Sequence, residues 1–442
     1  MIGIRLAAAV LLAGCATHAP TGAPSLAPPL DEDDPAARRG LVGDALDGYR
    51  AAYLLTWNGA RIGEAREWFV AAEQGGHRFE RTERVVVRRA GQLATLRTTI
   101  AVDLDEWVTP QRIEVLREGG VSRTRTEATR EQDGTWRVLH GTAPERLVDG
   151  AAVPSTLVPL LVAAGHAAPG RAFGGPVLVE GAALSLAHVT VTIAVDGASA
   201  RAELATAVGR LRGEVRLDER GFVVAAGLGA ALQSQRVDEV LLAATFEPPE
   251  IVDSAALTVA GAASTGSGLR LTLEGVAAAP PVVPELAEQS VVIGPEGAWE
   301  VFVEATTPQP SLAKVRARTR RVSDFLRDDL SLSAFTPEEA LAARAGDCTA
   351  HAVLLAAELA DDGYDTRLVT GYLLDDGALR RHRWVLVKLP HRWLAVDPMY
   401  DEVPASSAHF ALAVHGASPD ELAFIDDVAF AGWGSATARF AE

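Results

Sequence analysis

The chain has 442 residues, about three times the usual length of a single domain, so its length predicts two or three domains. Hydrophobic residues make up 48% and charged residues 22% of the sequence, which is typical of globular proteins and excludes a wholly disordered or fibrous chain. The formal net charge of -17 would repel a phosphate backbone, so we expect no nucleic-acid partner.

The first 15 residues have the order of an export signal. Arg5 precedes a short apolar run, Leu6–Leu12, which is too short to span a bilayer as a helix. Leu12-Ala13-Gly14-Cys15 resembles the lipobox of bacterial lipoproteins. This resemblance implies that residues 1–14 are a signal peptide, that Cys15 carries the lipid, and that the protein is anchored in the outer membrane, facing the periplasm. An ordinary signal peptide with an incidental Cys15 is the alternative.

The segment after Cys15 has the composition of a spacer. Residues 15–40 are rich in Ala and Pro and contain the acidic run Asp31–Asp34, so they cannot bury a core and are predicted to form a flexible linker. The best later candidate for a membrane span, Ala151–Gly170, is interrupted by prolines. We therefore expect a tethered protein without a transmembrane helix.

Residues 41–247 are predicted to form an antiparallel, β-rich domain. Apolar and polar residues alternate from Leu96 to Leu104, the pattern of a strand with one buried face. Turn sequences such as Asn58-Gly59 and Asp133-Gly134 recur through the region. The apolar stretch Leu157–Ala164 is compatible with either a short helix or a buried strand.

A boundary is predicted at Phe246–Glu250. This segment contains two adjacent prolines, neither of which can donate a hydrogen bond to a neighbouring strand. Residues 248–308 are then predicted to form a second, small β domain, and residues 309–442 a third domain of mixed helices and strands.

The third domain begins with three predicted helices. Apolar residues at helical spacing predict the first over Leu312–Leu326. Thr336 is a good N-cap and Glu339 has capping-box spacing, so the second is predicted to start at Pro337 and to end at Gly346. The third is predicted to start at Cys348 and to end near Gly363.

Cys348 is one of only two cysteines in the chain. If Cys15 carries a lipid, Cys348 has no disulfide partner within the molecule. At the start of a helix its thiol would lie at the positive end of the helix dipole, which favours the nucleophilic thiolate. Buried structural cysteines also begin helices, so the position alone does not establish a reactive thiol.

The strands after this helix supply a possible base. They are predicted over Arg367–Leu374, His382–Leu389 and Trp393–Val396. If the last two fold symmetrically about the bond from Leu389 to Pro390, His382 and Asp397 face each other with Cβ atoms about 4.5 to 5.5 Å apart. Cys348, His382 and Asp397 would then form a nucleophile, a general base and an orienting carboxylate.

At this point the sequence resembles the transglutaminase-like superfamily of papain-like cysteine acyl-transfer enzymes. The resemblance covers about Leu312–Val414 and depends on four segments: Gly346-Asp347-Cys348-Thr349-Ala350-His351-Ala352, Thr370-Gly371-Tyr372, His382-Arg383-Trp384-Val385 and Trp393-Leu394-Ala395-Val396-Asp397-Pro398. It implies an α+β transglutaminase-like, papain-like C-terminal domain. Together with the strand patterns above, the expected fold is a multidomain protein in which antiparallel β-rich N-terminal and middle regions precede this domain.

The resemblance also implies a reaction. Cys348 would attack a peptide or amide carbonyl to give a thioester, His382 would transfer protons, and Asp397 would fix the tautomer of His382. No cofactor and no metal would be needed. The expected function is that of a lipid-anchored cell-envelope cysteine hydrolase or acyltransferase, with an envelope peptide or protein, such as cell-wall peptide, as its substrate.

Several supporting roles stay open. The N–H of Cys348 is one expected oxyanion donor, but the chain has no Gln or Asn after Gln309, so the second donor is another backbone group, a hydroxyl such as that of Tyr372, or an indole. His351, Trp384 and Tyr372 are expected to surround the three reactive residues, and His351 is also an alternative base. His409 is either a partner of these residues or a surface histidine.

Two other interpretations compete with catalysis by a thiol. A zinc site could use Cys348 and His351 with His382 or His391, but a second cysteine is missing, so we expect no metal. Alternatively, the protein is a noncatalytic envelope binding or scaffold lipoprotein that retains the fold. The absence of Gln and Asn side chains after Gln309 and the large β-rich region favour this alternative.

Overall fold

The structure is a computed structural model that describes residues 46, 48–72, 75–89, 91–119, 122–141, 145–148, 152–163, 169–180, 184–228, 232–251, 255–261, 268–306, 312–330, 334–430 and 432–441. The predicted signal peptide, Cys15 and the linker lie outside these residues. The chain forms two compact units. The N-terminal unit extends to Pro249, and the C-terminal unit comprises Glu250–Glu442 together with Arg88–Ala94.

The described strands of the N-terminal unit form one 15-stranded sheet. They are β1 (Arg50–Trp57), β2 (Ala60–Ala71), β3 (His77–Arg89), β4 (Gln92–Leu104), β5 (Pro110–Gly119), β6 (Ser122–Arg130), β7 (Trp136–His140), β8 (Arg146–Val148), β9 (Val153–Pro154), β10 (Ala172–Glu180), β11 (Leu184–Ile193), β12 (Ser199–Thr206), β13 (Gly209–Leu217), β14 (Val223–Leu228) and β15 (Leu232–Val237). Chain neighbours pair antiparallel along most of the sheet, and β1 also pairs antiparallel with β15. The parallel pair of β9 with β10 lies at one edge.

The local patterns of the sequence explain this sheet. The predicted alternation from Leu96 to Leu104 lies in β4, where Ile100 and Val102 are fully buried. Asn58 and Gly59 join β1 to β2, and both have positive φ, as a two-residue hairpin turn requires. The ambiguous apolar stretch is helical: a 3-10 helix over Ser155–Leu157 leads into α1 (Val158–Leu161). A second 3-10 helix covers Glu239–Ala243.

The C-terminal unit combines eleven described strands with four α-helices. The strands are β16 (Leu257–Ala260), β17 (Gly268–Glu274), β18 (Gln289–Ile293), β19 (Trp299–Glu304), β20 (Arg327–Asp328), β21 (Ala345–Gly346), β22 (Thr366–Asp375), β23 (Ala378–Lys388), β24 (Trp393–Val396), β25 (His409–His415) and β26 (Thr437–Phe440). The helices are α2 (Ala313–Phe325), α3 (Pro337–Ala343), α4 (Cys348–Asp361) and α5 (Pro419–Ala429), with a 3-10 helix over Pro295–Gly297.

Nine of these strands form one sheet, in the order β18-β19-β17-β26-β16-β23-β22-β25, with β24 paired to β23. The strands of residues 248–308 therefore share a sheet with those of residues 309–442, and the structure does not separate a small β domain from the C-terminal domain. The reason is β26, the last strand, which pairs with both β16 and β17. Leu271, Trp299 and Phe410 accordingly lie in one buried cluster.

The helix before the site ends earlier than its sequence predicts. Thr336 caps α3 as predicted, because its side chain accepts a hydrogen bond from the N–H of Glu339 at 3.2 Å. The helix stops at Ala343, and Arg344 takes a left-handed conformation with φ of 51°. Gly346 is not the end of α3, because β21 pairs in parallel with β20. None of the helices among the described residues is long and apolar enough to cross a membrane.

Candidate active site

Asp347 fixes the point at which α4 begins. Its carboxylate is fully buried and accepts hydrogen bonds from the N–H groups of Thr349, at 3.0 Å, and Ala350, at 3.4 Å. Arg89, which belongs to the same unit, lies 3.4 Å from this carboxylate. Cys348 is therefore the first helical residue, where a backbone N–H has no acceptor within the helix and the dipole favours a thiolate.

His382 and Asp397 form a direct hydrogen bond. Nε2 of His382 donates to Oδ2 of Asp397 at 2.7 Å, and Asp397 is fully buried. The predicted hairpin register is wrong, because Val385 pairs with Val396 and the turn is centred one residue later than the sequence suggested. Moving the centre of the turn by one residue shifts the cross-strand partner of each residue by two. Because side chains alternate between faces, His382 and Asp397 stay on the same face and meet diagonally instead of directly across the strands.

Asp397 and Cys348 both influence the pKa of His382. Burial lowers the pKa of His382, but the charges of Asp397 and Cys348, and hydrogen bonds to both side chains, raise that pKa to about 10. Because Nε2 is bonded to Asp397, Nδ1 is the ring nitrogen left for the thiol. Cys348 is only 4% exposed. Asp397 and Cys348 thus both favour the protonated form of His382.

His409 is a second imidazole on the same carboxylate. Its Nε2 lies 2.9 Å from Oδ2 of Asp397, and its Nδ1 lies 3.0 Å from the carbonyl oxygen of Ser406. The N–H of Met399 donates to Oδ1 of Asp397 at 2.9 Å. Burial opposes ionisation of Asp397, but the charges and hydrogen bonds of the two histidines lower its pKa well below the ordinary value. Asp397 is therefore a stable anion that orients His382.

Trp384 and Gly371 shape the surroundings of His382. The indole of Trp384 stacks against the imidazole of His382, with ring centroids 6.1 Å apart, and meets His409 edge-on at 5.0 Å. Gly371 pairs with His382 across β22 and β23. A Cβ atom on Gly371 would lie 2.1 Å from the carbonyl oxygen of Phe410 and 2.9 Å from Trp384, so only glycine fits there.

The structure does not bring every candidate residue to Cys348 and His382. Tyr372 follows Gly371 in β22 and therefore points to the other face, where its ring packs against Phe430 and Trp433. His351 is fully buried; its Nδ1 lies 3.0 Å from the carbonyl oxygen of Asp347, and its Nε2 lies 3.4 Å from Oδ1 of Asp328. Burial raises the pKa of Tyr372 to about 12, although Arg381 opposes the change.

Two residues of the site were missed from the sequence. Arg383 is 2% exposed and donates to Thr370 at 3.1 Å and to Thr349 at 2.9 Å, and it also pairs with Asp426. It thereby connects the start of α4 to β22 and α5. An arginine one residue after a candidate base, inside an apolar strand, was the available signal. Tyr400 is the second, and its ring centroid lies 5.7 Å from that of His382.

One group of described side chains could hold a metal ion. The ligand atoms of His382, Asp397 and His409 all lie within 4.8 Å of one another. The hydrogen bonds among these residues already account for their arrangement, because a single carboxylate oxygen accepts from both rings. His391 is exposed in the turn between β23 and β24 and belongs to no such group in the described chain.

Residues 302–398 match the family model described as Transglutaminase-like superfamily. The match includes Cys348, His382 and Asp397 and ends one residue after Asp397, so Tyr400 and His409 lie beyond it. No curated protein sequence matches the chain.

Solved structures resemble parts of the chain at low sequence identity. A β-barrel-like protein of the domain of unknown function DUF1849 from Brucella abortus is 14% identical, covers 44% of this chain and 97% of its own, and has a TM-score of 0.34. A DUF1089 family protein from Pseudomonas aeruginosa is 14% identical, covers 36% and 89%, and has a TM-score of 0.26. A structure named "Putative Cysteine Protease" from Cytophaga hutchinsonii is 11% identical, covers 41% and 84%, and has a TM-score of 0.23. The predicted family is confirmed by the family model: residues 302–398 are a transglutaminase-like domain.

Proposed function

We propose that the C-terminal unit is a cysteine hydrolase or acyltransferase that acts on peptide or amide bonds through a thioester. The observation that carries this proposal is the hydrogen bond from His382 to the buried Asp397, together with the position of Cys348 at the start of α4, from which it raises the pKa of His382. A thiol, a base and an orienting carboxylate in this order can perform acyl transfer without a cofactor.

The reaction begins with attack by the Cys348 sulfur on the substrate carbonyl carbon. The thiol proton moves to Nδ1 of His382, while Nε2–H of His382 stays bonded to Asp397. When the tetrahedral intermediate collapses, the bond from carbon to nitrogen breaks and the proton on Nδ1 passes to the leaving amine. Water or a second amine then attacks the thioester and releases Cys348, giving hydrolysis or amine transfer.

The acylation step can be tested without the natural substrate. The full-length protein, purified in detergent, would be treated with iodoacetamide from pH 5 to 10 and, separately, with p-nitrophenyl acetate, which releases p-nitrophenolate when the thiol is acylated. We expect rapid alkylation at pH 7 and a burst of one equivalent of p-nitrophenolate. The rapid alkylation and the burst should be lost in Cys348→Ser and strongly reduced in His382→Ala. His391→Ala, at an exposed histidine, is the matched control and should behave as wild type.

A slow thiol that is insensitive to His382→Ala would contradict the proposal and would favour the noncatalytic binding or scaffold lipoprotein. In that case the transglutaminase-like domain would be retained for its fold alone.

The cell envelope is the proposed location. The lipobox-like sequence that ends at Cys15 supports attachment by a lipid, with an envelope peptide or protein as the substrate. Cells grown with a radioactive or clickable fatty acid should label the wild-type protein and leave the Cys15→Ser variant unlabelled. Equal labelling of both proteins would remove this part of the proposal.

A further inference from the structure

An oxyanion that forms next to Cys348 needs more than one hydrogen-bond donor. Residues 250–442 contain two side-chain amides, those of Gln289 and Gln309, and no asparagine. Gln309 lies outside the described residues. Both ends of the Gln289 amide are occupied by the backbone of Ala411, with Nε2 donating to its carbonyl oxygen at 2.9 Å and Oε1 accepting from its N–H at 2.7 Å. The Gln289 amide is therefore committed elsewhere.

Tyr400 lies in a loop whose two ends, Asp397 and Glu402, are hydrogen-bonded to each other. The backbone N–H of Asp397 donates to the carbonyl oxygen of Glu402, and the N–H of Glu402 donates to that of Asp397, both at 2.9 Å. The next residue after Tyr400 is Asp401, whose carboxylate accepts from the Arg320 guanidinium at 2.7 and 2.9 Å. The loop is thus held at both its base and its tip.

The ring of Tyr400 lies at the exposed side of the site. It meets the imidazole of His382 edge-on, with centroids 5.7 Å apart and planes inclined at 61°. Tyr400 is 50% exposed, whereas Cys348 and His382 are 4% and 6% exposed. Tyr400 therefore combines a ring contact with His382 and exposure to solvent in a loop that is held at both ends.

The surroundings of Tyr400 keep its hydroxyl protonated. Partial burial and the negative charges of Asp375, Asp397, Cys348 and Asp328 raise the pKa of Tyr400 to about 12. A phenol in this state remains a neutral donor throughout the pH range in which a thiol reacts, and it does not compete with His382 for the thiol proton.

We propose that the hydroxyl of Tyr400 is the second oxyanion donor, acting with the backbone N–H of Cys348. This inference rests on the proposed function. As the bond from sulfur to carbon forms, the carbonyl π electrons move to oxygen, and the thiol proton resides on His382. Tyr400 donates a hydrogen bond to this oxygen and transfers no proton. Of the donors that the sequence left open, the hydroxyl of Tyr372 lies on the opposite face of the sheet, whereas Tyr400 supplies a hydroxyl group on a ring beside His382.

Tyr400→Phe separates this role from others, because it keeps the ring against His382 and removes only the hydroxyl. Alkylation by iodoacetamide forms no oxyanion, whereas acylation by p-nitrophenyl acetate does. In the full-length variant we expect the alkylation rate at pH 7 to stay within about twofold of wild type and the acylation rate to fall by about 10²-fold, as for other single oxyanion donors. Tyr364→Phe makes the same change after the end of α4 and should alter neither rate.

Three results would overturn the assignment. If both rates are unchanged, the hydroxyl donates to nothing that matters for acylation. If both rates fall together, Tyr400 acts on the thiol or on His382 and is a positioning residue. If the wild-type thiol is inert to both reagents, the proposed function fails and the assignment fails with it. Melting curves check that each variant is folded, and the alkylation rate reports separately on whether Cys348 and His382 are undisturbed.

Discussion

Replacing Asp397 with Asn would test how the charge on this residue controls the thiol. The substitution keeps the size of the side chain and leaves an oxygen that can still accept from Nε2 of His382. It removes the negative charge that acts on His382 at a hydrogen-bond distance of 2.7 Å. Burial would then be the largest remaining influence on the pKa of His382, and burial lowers it.

The size of the effect follows from the pKa of His382. A fall from about 10 to the ordinary 6.5 corresponds to about 5 kcal/mol as an upper bound, since each unit is worth about 1.4 kcal/mol. The equilibrium constant for proton transfer from Cys348 to His382 would then fall by up to about 10³-fold. Because the pKa of His382 is raised on folding, its contribution to stability is complete below pH 6.5 and is lost as the pH rises towards 10. In Asp397→Asn the free energy of unfolding should therefore no longer fall over this pH range.

The assay is the rate of Cys348 alkylation by iodoacetamide as a function of pH. At pH 7 we expect Asp397→Asn to react at least about tenfold more slowly than wild type, with the difference shrinking above about pH 9, where a free thiol ionises unaided. Asp361→Asn makes the same change at the exposed end of α4 and should leave the profile unaltered. A folded Asp397→Asn variant with the wild-type profile would refute the assigned role of this carboxylate.

Three further predictions concern groups around the triad. His409→Ala should slow alkylation at pH 7 about two- to tenfold, because Asp397 loses a hydrogen-bond donor. His409→Gln retains an N–H and should slow it less. Alkylation rates equal to that of wild type would show that His409 has no influence on the thiol. Arg383→Met should lower the free energy of unfolding in urea by about 3 kcal/mol, because it leaves Asp426 without its paired charge. Adding Asp426→Leu should recover most of this loss, and an unchanged free energy in Arg383→Met would show that the pair does not stabilise the fold. Burial and the charge of Arg383 lower the pKa of His415 to about 4. The free energy of unfolding of the wild type should therefore fall by up to about 3 kcal/mol between pH 6.5 and pH 4. In urea titrations, His415→Gln should show a smaller fall over the same pH range.

The elements around the site could be predicted because short-range chemistry fixes them. Thr336 and Asp347 cap their helices through side-chain oxygens, and these bonds depend only on residues two or three positions away. Local sequence also predicted that Cys348 begins a helix, that His382 lies in a strand and that Asp397 directly follows the next strand. The register between β23 and β24 did not, because the turn can be centred on either side of Pro390 while the same residues stay buried.

Long-range pairings account for what the sequence did not predict. β26 pairs with β16 and β17 across more than 160 residues, and no local pattern indicates that residues 248–308 and the C-terminal strand share a sheet. Arg383 contacts three elements, and a buried arginine with distant partners has the same local sequence as an exposed one. Tyr400 lies in a loop with no periodic signal, and only the fold places it beside His382.

The buried charges of the site favour an enzyme over a scaffold. Asp397 is fully buried, and Cys348, His382 and His409 are each at most 6% exposed. Burying an ionised group costs several kcal/mol, and replacing a buried ion pair with apolar side chains of similar size often leaves stability unchanged or raises it. A protein that needed only this fold could therefore be as stable with apolar side chains in place of a carboxylate shared by two imidazoles beside a thiol. Acyl transfer does need each of these properties: a reactive sulfur, a base that holds its proton, and an anion that orients the base.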